Sequence, residues 1–243
     1  LDIFARRIIP HKTLYDNVYE ISERLSNTGK VLVKIDIQNA KILMKKALNK
    51  GYKSAAIVLI HAWKHPKHEK ILKKIAIELG FRNVCISYDT APLIGLNSRG
   101  DTTVVDAYLT PKLNRYTKNI SLNIKNTKIF YIKSTGGLTS SKNFSGKDAV
   151  LSGPAGGVIA AVETNKLYKN YKGIIGLDMG GTSTDVFHYK DHYERSHENT
   201  IAGNKIKVPM LNINTIASGG GSIIKLEGSK ITVGPESAGA SPG

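Results

Sequence analysis

The spacing of apolar positions changes several times along the chain, and each period predicts an element. Alternation in Tyr15-Asp16-Asn17-Val18-Tyr19-Glu20-Ile21 predicts a strand, and Asn27-Thr28-Gly29-Lys30 turns the chain into a second, Val31-Leu32-Val33. Asp36 is placed to cap a helix over 38–49, with Gly51 to close it. A nearly continuous apolar run predicts a buried strand over 54–62. Ile71, Leu72, Ile75 and Leu79 share one face of a helix over 66–79 that Gly80 stops. Val84-Cys85-Ile86-Ser87 is a further strand. Helices alternating with strands argue for an α/β layer.

Beyond Arg99-Gly100-Asp101-Thr102-Thr103 the pattern opens a long helix whose apolar face uses Val105, Tyr108, Leu109, Leu113 and Tyr116. Pro111 removes one of its hydrogen bonds and predicts a kink. Residues 119–128 are polar and read as a loop, 128–132 as a strand that ends at Ser134-Thr135-Gly136-Gly137, and 139–148 as exposed loop. Residues 158–167 are helical, so the preceding Leu151-Ser152-Gly153-Pro154-Ala155-Gly156-Gly157 stands at a helix N-terminus. Such a start receives an anion, lets another helix pack closely, or serves as a hinge. Strands follow over 174–177 and 184–189, then over 193–208 around Ala202-Gly203-Asn204. Asn212-Ile213-Asn214-Thr215-Ile216 leads into Ala217-Ser218-Gly219-Gly220-Gly221-Ser222, and 223–233 reads as a hairpin around Glu227-Gly228-Ser229.

Composition narrows the class. The 243 residues can bury a core and hold one large domain or two small ones, and 41% apolar content is ordinary for a globular chain. No run has the apolar length of a membrane helix, and the start is not a secretory signal. Cys85 is the single cysteine, which leaves no intrachain disulfide and points to a cytoplasmic protein. A net charge of +16 raises nucleic acid as a partner. The lysines, however, are spread over many segments without a stripe of aromatics for stacking bases, so the charge reads as solvated surface. His61, His65, His68 and Glu69 straddle a helix start and lack the i, i+4 pair of a zinc helix, so they read as capping and surface.

The chemistry concentrates in Ile174-Ile175-Gly176-Leu177-Asp178-Met179-Gly180-Gly181-Thr182-Ser183-Thr184-Asp185-Val186. An apolar strand ends in Asp178, turns through Gly180 and Gly181, and continues through Thr182, Ser183 and Thr184 to Asp185. Glycines leave backbone N–H groups free to point at an anion, and the hydroxyls add donors. Asp178 can hold Mg²⁺, usually through water. A Walker loop needs a Lys after its last Gly, where this chain has Thr182, and a Rossmann turn needs a following helix where Val186-Phe187-His188-Tyr189 reads as strand. Strand–turn–strand with aspartate first is similar to the phosphate hairpin of actin/sugar-kinase/Hsp70-like (ribonuclease H-like) ATPases, an α/β fold. A bare Gly-Gly hairpin would not need aspartates and hydroxyls on both flanks. Gly219, Gly220 and Gly221, with Ser222, follow a strand farther on and offer a second wall for the same pocket.

These runs together resemble the hydantoinase A/5-oxoprolinase family. The resemblance is carried by Arg99 to Pro111, Leu151 to Val158, Gly176 to Val186, Ala202-Gly203, Pro209 to Thr215, Ser218 to Ser222 and Val233 to Ala240, and more loosely by Ile60-His61 and Pro66 to Glu69. It implies residues 1–97 from the end of the family's N-terminal region and 98–243 from the first part of its hydantoinase A domain. It also implies ATP-dependent opening of a cyclic amide, such as 5-oxoproline or a hydantoin, by phosphorylation of the amide oxygen, with a B-type subunit or region for hydrolysis. Related chains are acetone carboxylase subunits. On this resemblance, Asp178 and Gly180 to Thr184 hold phosphates and Mg²⁺, and Gly219 to Ser222 approach the nucleoside side. Asp185 either orients the attacking oxygen or locks the turn.

The family pattern also contains an earlier Asp-x-Gly-Gly-Thr hairpin, and Ser134-Thr135-Gly136-Gly137 lacks the aspartate. The chain begins with Leu1 and stops within Ser241-Pro242-Gly243, and is expected to be an internal fragment that is inactive or very weak alone. The competing expectation is a non-catalytic remnant that binds a nucleotide or a partner through half a cleft.

Overall fold

The computed structural model describes residues 13–168, 171–201 and 203–239. Its elements run β1 Arg24–Leu25, β2 Val31–Val33, α1 Ile37–Asn49, β3 Ser54–Ile57, α2 Lys67–Leu79, β4 Asn83–Ile86, α3 Ser87–Thr90 and α4 Leu96–Asn123. They continue with β5 Phe130–Ile132, β6 Leu138–Ser140, α5 Gly146–Ala149, α6 Ser152–Tyr168, β7 Gly173–Met179, β8 Thr184–Lys190, β9 His192–Tyr193 and β10 Arg195–Ser196. The last are β11 Asn199–Ile201, β12 Asn204–Ile206, β13 Met210–Leu211, β14 Asn214–Ile216, β15 Ser222–Glu227 and β16 Lys230–Ser237. They form two units; within the described residues the first comprises 13–127, 145–147 and 198–208, and the second comprises 128–144, 148–197 and 209–239.

In the first unit β3 and β4 pair in parallel, Ser54 opposite Asn83 through Ile57 opposite Ile86, as a β–α–β crossover through α2 requires. Asp36 accepts from Asn39 N at 2.9 Å, capping α1, and Gly80 closes α2 in the left-handed region at φ 109°. Ala40, Ile57, Leu72 and Ile86 form the centre of the core, and Ala47, Ala76 and Phe81 a second cluster. Cys85 is buried, and burial pushes its thiol up to about 12, out of reach of thiolate chemistry.

Several expectations fail here for identifiable reasons. Residues 15–21 form no strand; β1 lies just beyond them and pairs with β2. The 54–62 run keeps strand geometry only through Ile57, because the backbone beyond turns to serve a buried polar hub. Glu69, expected at the surface, is fully buried. Its carboxylate accepts from Leu59 N at 2.9 Å, Ser87 Oγ at 2.6 Å and Tyr88 N at 3.0 Å. Arg99, also fully buried, donates to Ser87 Oγ at 2.8 Å, to Leu93 O at 3.1 Å, and to the carbonyls of Leu59 and Ile60. His68 is likewise buried, its Nδ1 2.6 Å from Glu23 Oε2.

The inner face of α4 mixes polar with apolar residues: Arg99, Thr102, Thr103, Asp106 and Thr117 are buried beside Val105 and Ala107, Leu109 and Leu113 are half-buried, and Tyr108 and Tyr116 are exposed. Thr102 and Thr103 donate to the carbonyls one turn back, both at 2.7 Å, which satisfies their hydroxyls inside the helix. The helix runs through Pro111, which leaves the carbonyl of Ala107 without its helical donor. Ser54 Oγ at 2.6 Å and Asn83 Nδ2 at 3.1 Å supply the missing donors, so the proline is matched by two residues on β3 and β4.

In the second unit β5 and β6 form a hairpin, and 139–148 is not open loop: it continues into short helical turns, with Phe144 buried and stacked on Tyr131 at 5.2 Å. Antiparallel strands in the order β14–β8–β7 make the main sheet, with β9 on β8. α6 covers one face, joining Ala155 and Val158 to Phe187 and Leu211. Gly176 lets the Phe187 ring lie directly across its Cα, where a methyl would overlap the ring. The pairs β10–β13 and β15–β16 are separate antiparallel ribbons, as is β11–β12 in the first unit; Ala202 of its turn lies outside the described residues.

Burial raises the carboxyl of Glu69 above its ordinary range, and the Ser87, Tyr88 and Leu59 donors and Arg99 pull it part of the way back. The folded chain therefore binds this proton more tightly than the unfolded chain. The resulting stability is complete below the ordinary carboxylate value and is lost as pH rises through the folded value. Urea titrations should show that slope in the wild type and not in Glu69→Gln, and a loss of about 3–5 kcal/mol in Glu69→Ala, where Arg99 keeps no buried acid.

Candidate functional site

β7 and β8 are in the register that the hairpin demands: Asp178 is opposite Asp185 and Met179 opposite Thr184. The reversal over 180–183 closes with Gly180 N donating to Ser183 O at 2.9 Å. The loop after β14 then folds onto this reversal. Gly220 N donates to Gly180 O at 2.9 Å and Gly221 N to Gly181 O at 2.7 Å. A Cβ at Gly219 would stand 2.6 Å from Gly180 O and 2.8 Å from Ser183 N, so only glycine permits the approach. Ser222 Oγ accepts from Gly219 N at 2.8 Å, and Ala238 N donates to Gly221 O at 2.8 Å, so the three turns stack.

The sequence candidates are thus brought together, in unequal roles. Thr184 is 5% exposed and donates to Ser218 O at 2.6 Å, so its hydroxyl locks the two loops instead of facing solvent. The Gly220 and Gly221 amides are spent on the hairpin and Ser222 Oγ serves Gly219, so this loop backs the turn more than it offers donors. Asp185 Oδ1 accepts from Thr215 Oγ1 at 2.6 Å, across paired positions of β8 and β14. Thr215 was not singled out in the sequence, since only the strand register places it beside Asp185.

What remains free is specific. Among the described residues the N–H groups of Gly181, Thr182 and Ser183, the hydroxyls of Thr182 and Ser183, and the carboxylate of Asp178 make no hydrogen bond. Asp178 is exposed and lies beside the second turn of α6, its Oδ2 3.8 Å from where a Cβ on Gly157 would stand. A methyl at Gly153 would meet nothing and one at Gly156 or Gly157 only ordinary contacts, so close packing does not account for the α6 glycines. Free N–H and O–H donors on one turn beside an unpaired carboxylate suit a phosphate that shares a hydrated divalent cation. Among the described residues no cluster of three or more His, Cys, Asp or Glu could hold a metal, so a cation here would take its other oxygens from water and phosphate. No helix of the described residues is long and apolar enough to cross a membrane.

The hydantoinase/oxoprolinase model matches residues 99–243, and the model of the hydantoinase/oxoprolinase N-terminal region matches 1–80. The chain belongs to the hydantoinase/oxoprolinase family. It is 39% identical to 5-oxoprolinase 1 of Arabidopsis thaliana over 265 aligned residues, covering 100% of this chain and 21% of that one. Among solved structures, an ATP-dependent caprolactamase from Pseudomonas jessenii superposes with a TM-score of 0.79 at 27% identity, covering 99% of this chain and 38% of that one. Nucleotide-free acetone carboxylase gives 0.76 at 25% identity, covering 90% and 32%. The family member therefore spans about a fifth of the length of the relative it matches by sequence. Its α/β fold is the actin-like ATPase fold of these hydantoinase-family enzymes, in the part that this chain covers.

The stacked turns predict a sharp contrast between two neighbouring glycine substitutions. Gly219→Ala forces a methyl into the Gly180–Ser183 backbone and should cost about 1–3 kcal/mol in denaturant titration. Gly181→Ala meets nothing within 4 Å and should leave stability nearly unchanged.

Proposed function

We propose that this chain is the nucleotide-binding part of an ATP-dependent hydrolase that opens cyclic amides of the 5-oxoproline or hydantoin type. The observation that carries the reading is the free donor set on the 180–183 turn beside the unpaired Asp178 carboxylate. The Gly181, Thr182 and Ser183 amides and the two hydroxyls cradle phosphate oxygens, and Asp178 takes the hydrated Mg²⁺. Thr184 and the Gly219–Ser222 loop hold the cradle rigid from behind, so its donors are oriented before the nucleotide arrives. Thr215 fixes the rotamer of Asp185, leaving the other carboxylate oxygen to orient the attacking group.

When bound, Mg·ATP supplies a phosphoryl group to the amide oxygen, which makes the ring carbon open to water. A B-type polypeptide of the same family is the proposed partner for the hydrolytic step. The names of the relatives support this class, since one is a 5-oxoprolinase and another an ATP-dependent caprolactamase.

Calorimetric titration of the chain with Mg·ATP tests the reading. Asp178→Asn should weaken binding by about tenfold or more, and Ser183→Ala by a few-fold, roughly one lost hydrogen bond. Equal affinity in wild type and Asp178→Asn would remove the nucleotide from this turn.

A further inference from the structure

The lysines are spread along the sequence, and the fold gathers a set of them. Most of the net positive charge falls within the first unit. There α1 and α2 lie side by side on one face of the β3–β4 pair, with Ala40 and Ala47 of α1 and Leu72 and Ala76 of α2 in the core. The helical period that buries those four turns Lys41, Lys45 and Lys46 of α1 and Lys67, Lys70 and Lys74 of α2 outward, all of them exposed. α1 contains no acid, and the acids of α2 are Glu69, fully buried, and Glu78, whose Oε1 is 3.9 Å from Lys74 Nζ. Lys41 and Lys45, like Lys70 and Lys74, stand one turn apart with the same charge, which works against a helix, and Lys67 and Lys70 lie at the positive end of α2. Ile42 and Ile77 are 64% and 54% exposed beside these lysines. Next to Ile77 a shallow depression is lined by Lys70, Lys73, Lys74 and Asp89.

We propose that the outer face of α1 and α2 binds an acidic polypeptide segment, with carboxylates on the lysines and an apolar side chain in the depression beside Ile77. Charge complementarity selects an acidic partner, since a face with one sign of charge attracts the opposite sign and repels its own. The apolar positions select polypeptide over nucleic acid. A phosphate backbone offers nothing to Ile42 or Ile77, whereas a protein surface supplies carboxylates and apolar groups together. α1 and α2 also contain no phenylalanine, tyrosine or tryptophan to stack on bases and no arginine, whose planar fork matches phosphate. A second copy of this chain is disfavoured because each brings a net charge of +16. The inference does not depend on the nucleotide reading, whose residues lie in the second unit.

Fluorescence-anisotropy titration of the whole chain at low salt tests this with labelled probes: a random glutamate–leucine copolymer, poly-L-glutamate and a mixed-sequence DNA duplex. The copolymer should bind tightest, and added salt should weaken it. Lys41→Gln, Lys45→Gln, Lys70→Gln and Lys74→Gln combined should lower its affinity by about tenfold or more. Lys112→Gln, Arg115→Gln, Lys118→Gln and Lys125→Gln combined remove as much charge from other exposed positions and should change the affinity by about twofold at most. Ile77→Ser should weaken the copolymer and leave poly-L-glutamate unchanged, and circular dichroism of every variant should match the wild type. Equal losses in the two four-site variants would assign binding to overall charge and overturn the proposal. Tighter binding of the duplex overturns it in favour of nucleic acid, and copolymer affinity that is indifferent to Ile77→Ser overturns it by removing the apolar contact.

Discussion

Two backbone hydrogen bonds, from Gly220 and Gly221 to the carbonyls of Gly180 and Gly181, hold the hairpin turn of the second unit in place. A reversal of four residues at the end of a hairpin would otherwise sample many conformations, and each would aim its amides differently. Here the carbonyls of Gly180 and Gly181 are tied down, which limits that sampling. The tie requires glycine on the incoming strand, because any side chain at position 219 meets backbone at 2.6 Å. Thr184, itself buried, adds a side-chain bond between the two loops, and it too reaches a backbone carbonyl.

The first unit solves a different problem. Where β3 ends, a buried Glu69–Ser87–Arg99 relay of hydrogen bonds stands beside its core. Burial lowers the Arg99 guanidinium from its ordinary range, and Glu69 counters that shift. Such a group is costly unless every donor and acceptor is met, and the carbonyls of Leu59, Ile60 and Leu93 complete the set. The same logic governs Pro111, whose lost hydrogen bond is replaced by Ser54 and Asn83. In both places a local fault in one element is answered by side chains from others, which ties β3, β4 and α4 together more specifically than hydrophobic contact would.

These compensations explain what the sequence could and could not reveal. The capped helices, the hairpin and its facing aspartates were legible, because Asp36, Gly80 and the Asp178-to-Asp185 run act through neighbours a few residues away. The alternation over 15–21 misled, since among the described residues no strand pairs with it. The face of α4 was read by hydropathy, yet its buried side carries Arg99, Thr102, Thr103 and Asp106, which are satisfied by groups distant in sequence or by their own helix. Thr215 escaped for the same reason: only the register of β14 on β8 sets it against Asp185. Hydropathy reports burial when apolar contact is the cause and fails when hydrogen bonding is.

The two faces of the β7–β8–β14 sheet can therefore be assigned by the kind of group each leaves unsatisfied. On the α6 side the exposed group is the unpaired Asp178 carboxylate, which water solvates at little cost. On the other side they are the exposed apolar side chains of Ile175, Leu177 and Met179, which water solvates poorly. The alternation of a strand sends Leu177 to one face and Asp178 to the other. Alternation along one seven-residue strand thus separates an exposed carboxylate from exposed apolar side chains, each on its own face of the sheet.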